Sequence, residues 1–149
     1  MTTTVAIRDA RPDDEAIWRE LWAGYLAYYE ATIPDHVTAR TWARIVSDDP
    51  TFQAIVAERD GQVIGFANLV LHDFTWSDQP AGLLHDLFVR PDVRGGGAGR
   101  ALIEHFIKQG RREEWNRLYW MTKEDNATAR RLYDTFAPTD GFIRYRVAL

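Results

Sequence analysis

The chain has 149 residues, of which 46% are hydrophobic, 13% aromatic and 27% charged, the size and composition of one globular domain that builds a core without staples. It contains no cysteine, which removes disulfides, cysteine zinc sites, iron–sulfur clusters and any acyl-cysteine intermediate. A net charge of −4 argues against nucleic-acid binding. No apolar run approaches the roughly 20 residues of a membrane span, and Met1-Thr-Thr-Thr begins no signal segment, so a cytoplasmic protein without membrane contact is expected.

Val5-Ala6-Ile7 reads as a short first strand. Arg11-Pro12-Asp13-Asp14 is a helix-start signal, after which Ile17, Leu21, Trp22, Tyr25, Leu26 and Tyr29 keep helical spacing to about Ala31. Pro34 interrupts, and a shorter helix is predicted from Thr38, taken as its N-cap, to about Ser47. Phe52 to Glu58, the Asp60-Gly61 turn and Gln62 to His72 form a hairpin pattern. A loop over residues 73–82 leads to a strand from Leu83 to Val89. Beyond a run of glycines, Ala98 to about Arg112 is helical in period through Leu102, Ile103, Phe106 and Ile107. Arg117 to Thr122 reads as a strand, Asn126 to about Phe136 as a helix, and Phe142 to Val147 as a last strand. The order β-α-α-β-β-β-α-β-α-β is met most economically by a mixed sheet with helices on its faces, and no repeat or linker divides it.

Arg94-Gly95-Gly96-Gly97-Ala98-Gly99-Arg100 lies between a strand and a helix. Glycine lets backbone approach a ligand closely, and free N–H groups at a helix start attract phosphate. A Walker A loop does not fit, since no Gly-Lys-Ser/Thr follows. A dinucleotide fingerprint does not fit either, because Arg100 stands where its third glycine belongs. Arg-x-x-Gly-x-Gly, filled by Arg94, Gly97 and Gly99, does fit. Further on, Asn126-Ala-Thr-Ala-Arg130-Arg131-Leu132-Tyr133 sets a carboxamide, a cation and a phenol at positions 126, 130 and 133, along one helix face.

These two motifs together resemble the GCN5-related N-acetyltransferases, the GNAT superfamily. The resemblance covers the chain from about Ile7 onward. It is densest in Leu84-His85-Asp86-Leu87-Phe88-Val89, in the glycine loop, and in Tyr119-Trp-Met-Thr-Lys-Glu-Asp-Asn126. The last segment, with Gly141-Phe142-Ile143 and the aromatic first helix, is similar to the yeast branch that acetylates histones, polyamines and D-amino acids. It is also similar to the spermidine/spermine and thialysine acetyltransferases. The resemblance implies an α/β (α+β) fold spanning residues 1–149: a mixed, mostly antiparallel twisted sheet of about six to seven strands, flanked by about four helices.

It further implies acetyl-CoA as acetyl donor and no metal. Leu87, Phe88 and Val89 would pair their backbone with the pantetheine arm. Gly95, Gly96, Gly97, Ala98 and Gly99, with Arg94 and Arg100 nearby, would hold the pyrophosphate. Asn126 would contact the pantetheine, with Arg130 on the same helix face, and Tyr133 would lie close to the thiol. A phenol is protonated at neutral pH, which suits Tyr133 to protonate the leaving thiolate. An aliphatic ammonium must lose a proton before it attacks. His85 stands where the polyamine enzymes carry a glutamate, and its ordinary pKa of about 6.5 suits a base. It reads equally as a histidine satisfied by structural hydrogen bonds. Asp86 has the opposite parity on an extended strand, so the two are not expected to face one ligand; Asp86 is assigned to cation binding or to structure.

Residues 1–89 carry 6 Lys/Arg and 14 Asp/Glu, whereas residues 90–149 carry 12 and 8, which suits a cationic acceptor on one side and an anionic donor on the other. Glu30, His72 and Trp76, with Asp86, are the candidate acceptor-side residues, since aromatics and carboxylates suit an ammonium. Tyr25 and Trp42 read as core. The expected acceptor is a small-molecule primary amine such as a polyamine, amino acid or lysine analogue. A peptide or histone tail and a non-catalytic CoA-binding sensor are the alternatives, and a homodimer is compatible with the resemblance.

Overall fold

The most continuous apolar stretches of the sequence become the central strands of the structure, a computed structural model that describes residues 4–149. The start of the chain, on which the expectation of no signal segment rests, lies largely outside those residues. Strand β1 (Ala6–Asp9) is followed by a single tight turn at Pro12–Asp14 and helix α1 (Glu15–Tyr28). Helix α2 (Asp35–Ile45), β2 (Phe52–Arg59), β3 (Gln62–His72) and β4 (Ala81–Val89) come next. Helix α3 (Ala98–Arg112), β5 (Arg117–Tyr119) and α4 (Ala127–Tyr133) complete the order. Among the described residues no helix is long and apolar enough to cross a membrane.

The strands form one sheet in the order β1-β2-β3-β4-β5, antiparallel except for the parallel pair β4–β5. Both faces are covered, which is why β2 and β3 read as near-continuous apolar runs. On one face Ile55, Ala57, Leu69 and Leu84 pack against Leu102, Ile103 and Phe106 of α3, with Leu132 and Tyr133 of α4 at the edge. On the other, Val56, Phe66 and Phe88 pack against Trp18 and Trp22 of α1 and Trp42 of α2. The Trp18 and Trp22 rings stack 5.4 Å apart, and Trp42 lies 5.0 Å from Trp18. Such indoles bury large area but need an outlet for their N–H. Trp22 donates to Thr38 Oγ1 at 3.2 Å, and Trp18 donates to Asn68 Oδ1 at 3.3 Å.

Three sequence expectations are corrected here. Thr38 is not a cap: α2 begins a turn earlier, after Pro34, and Thr38 is buried as the acceptor for Trp22. Among the described residues the sheet has five strands, slightly fewer than the six to seven expected. The predicted strand from Phe142 to Val147 forms no ladder; Phe142, Tyr145 and Val147 are 81%, 88% and 81% exposed. Alternating residues make a strand only where a neighbouring edge receives them, and β5 ends at Tyr119 with residues 142–147 unpaired.

Candidate active site

The site begins with one extra residue in β4. Asn68 of β3 pairs with Asp86, but its neighbour Leu69 pairs with Leu84, so His85 is accommodated as a bulge. A bulge turns the strand and re-aims its side chains. His85 and Asp86 therefore come together instead of pointing apart: His85 Nδ1 donates to Asp86 Oδ1 at 3.1 Å. This corrects the parity argument for an uninterrupted strand.

A line of hydrogen bonds holds the acid. A carboxylate only accepts and an indole only donates, so the direction of the chain is determined. Trp18 Nε1 donates to Asn68 Oδ1, and Asn68 Nδ2 donates to Asp86 Oδ2 at 3.0 Å. Asp86 and Asn68 are buried, whereas the His85 side chain is 56% exposed. With Nδ1–H committed to Asp86, Nε2 of neutral His85 is left as an acceptor. The hydrogen bond to Asp86 raises the His85 pKa above its ordinary value, against burial and a distant opposing charge at Arg144.

Just before the bulge, β4 loses its partner on the other side. β4 and β5 pair only at Ala81–Leu83 with Arg117–Tyr119, so from Leu84 to Val89 the β5-facing edge of β4 is free of strand pairing. Leu87, Phe88 and Val89 occupy this edge, Leu87 half-buried and the other two buried. Unpaired backbone donors and acceptors along such an edge suit an extended amide-bearing chain.

At the end of this edge stands the glycine loop. Gly95 and Gly97 adopt φ of 86° and 88°, and a side chain at either would project into open space. Gly97 precedes α3 without any side-chain cap, which leaves first-turn N–H groups of Ala98, Gly99 and Arg100 available to an anion. Gly99 packs where a Cβ would lie 3.4 Å from Leu132, drawing α4 against the loop. An open cradle, uncapped amides and a free strand edge in one line fit a pyrophosphate joined to a pantetheine arm. Arg94 instead donates to Val89 O at 3.0 Å and lies over the Phe88 ring. Arg100 donates to Thr135 Oγ1 at 2.9 Å and lies over Phe136. Their guanidiniums thus flank the loop from opposite sides, one toward α1 and one toward α4.

Asn126 caps α4, accepting from Ala129 N and donating to Thr122 Oγ1 at 3.1 Å. Arg130 donates to the Glu124 carbonyl at 2.7 Å. Tyr133, one turn on, is half-buried with its ring 5.6 Å from Trp120. Burial, and then the neighbouring Tyr29 and Tyr28, push its pKa up to about 12. Burial, and then Asp86, hold the Tyr25 hydroxyl protonated far above its ordinary range. Tyr25, Tyr29, Tyr133 and Asp86 thereby share one neighbourhood, joining α1, α4 and the bulge.

The other acceptor-side candidates are held by contacts of their own or are exposed. His72 donates through Nδ1 to the Asp73 carbonyl at 2.8 Å, and its Nε2 accepts from the Tyr119 hydroxyl at 2.7 Å, so both ring nitrogens are engaged. Trp76 is 81% exposed. Glu30 is exposed just past α1, with φ of 53°. Among the described residues no group of three or more His, Asp and Glu is arranged to hold a metal.

Sequence reasoning passed over Asn68, Trp18 and Arg59. Asn68 had a signal, as the one polar residue in the run from Val63 to Leu71. Arg59, at the end of β2, donates to Gly96 O at 3.1 Å and braces the loop from below; nothing local marks it, because loop and strand meet only in the fold.

Comparison with known proteins agrees with this geometry. The sequence model of the acetyltransferase (GNAT) family matches residues 15–137. The D-amino-acid N-acetyltransferase HPA3 of Saccharomyces cerevisiae is 29% identical over 146 residues, covering 95% of this chain and 89% of that one. An aminoglycoside N(6')-acetyltransferase type 1 of Stenotrophomonas maltophilia is 33% identical over 100 residues, covering 65% of this chain and 61% of its own. Among solved structures, aminoglycoside acetyltransferase AAC(6')-Iy in complex with a bisubstrate analogue superposes with a TM-score of 0.83 at 22% identity, over 99% of this chain and all of that one.

Proposed function

Because the chain belongs to the acetyltransferase (GNAT) family, we propose that it carries acetyl from acetyl-CoA directly to a small-molecule primary amine, with His85 as base and Tyr133 as acid. The observation that carries this reading is the open edge of β4, which runs from the His85–Asp86 pair to the uncapped glycine loop. Its relatives include a D-amino-acid N-acetyltransferase and an aminoglycoside N(6')-acetyltransferase, whose small-molecule acceptors support it.

Acetyl-CoA supplies an activated acetyl group as a thioester. The amides of Ala98, Gly99 and Arg100 would bind its pyrophosphate, and Leu87 to Val89 would hold the arm by backbone hydrogen bonds. His85 Nε2, turned outward by the Nδ1–Asp86 bond, takes a proton from the ammonium and leaves a nucleophilic amine. The new N–C bond forms as the C–S bond breaks, and a backbone N–H of β4 stabilises charge on the acetyl oxygen. Tyr133, held protonated by burial, gives its proton to the sulfur, and the second proton that the nitrogen loses as the amide forms restores the phenol through solvent. The first, taken by His85, is released, so one proton leaves per turnover. No cysteine exists to carry the acetyl group, and transfer is direct.

The test is thiol release from acetyl-CoA, read with a thiol reagent, which meets no thiol on this protein. The panel comprises polyamines, L- and D-amino acids, thialysine and a histone-tail peptide. Amine-dependent release is expected. Acetyl-CoA binding without release on any amine would instead indicate a sensor.

A further inference from the structure

We propose that the acceptor is a primary amine bearing a single apolar side chain about the size of a phenyl ring, seated between α2 and the β2–β3 surface with its nitrogen at His85 and Asp86. This rests on the acetyl-transfer reading above and names its substrate class.

A cavity of about 190 Å³ lies there, walled by Ile33, Val37, Ile45, Phe52 and Val70. Among the described residues, the ionisable groups that line it are His85 and Asp86. An apolar cavity of about 150 Å³ is enough to take benzene, so the volume suits one ring or a short branched hydrocarbon. Val37 lines the cavity and is also 39% exposed, which places an apolar side chain at the rim, where a ligand would cover it.

Charge decides between classes of amine. Asp86, the one carboxylate present, already accepts from Asn68 and His85, and it can serve the nitrogen that reacts but not a second cation. Beyond His85 and Asp86 the lining offers the neutral polar groups of Thr41, Gln53 and Asn68. The remote ammonium of a polyamine, or the several ammonium groups of an aminoglycoside, would therefore lose water against Ile33, Ile45 and Phe52 with no second carboxylate to replace it. No lysine or arginine lines the cavity, so a carboxylate on the acceptor must stay outside it.

The experiment compares kcat/KM for 2-phenylethylamine, n-hexylamine and D-phenylalanine with that for spermidine and kanamycin. Calorimetry alongside measures binding of 2-phenylethylamine and spermidine to the protein without acetyl-CoA. Val37→Glu, at a rim position that is 39% exposed, puts a carboxylate where the wild type has hydrocarbon; Val37→Phe fills the rim without charge.

At least one apolar amine is expected to exceed spermidine and kanamycin tenfold or more. Val37→Glu should erase that preference and weaken 2-phenylethylamine binding, while Val37→Phe should penalise the ring more than the straight chain. Equal rates across the panel, or a preference for spermidine or kanamycin, would overturn the inference and leave acetyl transfer intact. No turnover of any amine would remove the transfer reading itself, and this proposal with it.

Discussion

The His85 Nδ1 lies 3.1 Å from Asp86 Oδ1, a contact between consecutive residues that exists because β4 carries one residue more than β3 can pair. Behind it Asn68 and Trp18 tie the carboxylate to the aromatic face of α1. The pair therefore stands on two rigid elements, and the buried acid presents an exposed base to the cleft.

Removing the charge of Asp86 while keeping its shape should move the pH profile. The carboxylate raises the His85 pKa, and His85 works as a base only when unprotonated. In Asp86→Asn the acidic limb of kcat/KM is expected to shift to lower pH, with a plateau about tenfold lower because Nε2 is a weaker base. An unmoved limb beneath a lowered plateau would assign Asp86 a purely structural role.

Tyr133→Phe keeps the packing against Trp120 and removes the hydroxyl whose pKa burial pushes up to about 12. General acids contribute roughly 10²–10⁴-fold, so kcat should fall by at least about 100-fold, with the calorimetric Kd for CoA nearly unchanged. A matched loss in CoA affinity would make Tyr133 a binding residue instead.

The entry to α1 depends on Asp14, buried at 6% exposure, with Arg8 donating to it at 2.8 Å and the Arg11 backbone N–H at 2.7 Å. Arg8 holds the Asp14 pKa below the usual carboxylate range. Its stabilisation is therefore complete above the unfolded value of about 3.9 and is lost as pH falls through the lower folded value. At pH 7, Asp14→Asn should cost about 2 kcal/mol in urea unfolding. The gap between variant and wild type should close in acid.

Much of the architecture is carried by local pattern. β3 runs over Gln62–His72 and α3 over Ala98–Arg112, the limits that the hairpin turn with its apolar run and the helical period indicate, since each signal lies within its own segment. The glycine loop and the cap at Asn126 are equally local. So is the family resemblance, which rests on short motifs at fixed spacing and reappears in the match over residues 15–137.

What lay beyond local pattern depends on pairing between distant segments. Whether His85 and Asp86 diverge or meet is decided by the register of β4 on β3, and one inserted residue reverses the answer. Residues 142–147 have the alternation of a strand but pair with no other strand. Asn68 looks like a lone polar residue until Trp18 and Asp86 arrive on either side of its amide. The apolar cavity beside the dyad is assembled from α2, β2, β3 and β4. Chemistry-bearing residue types and their local conformations are thus written along the chain. Which of them face one another is settled by register and packing, because those contacts join residues that the sequence keeps far apart.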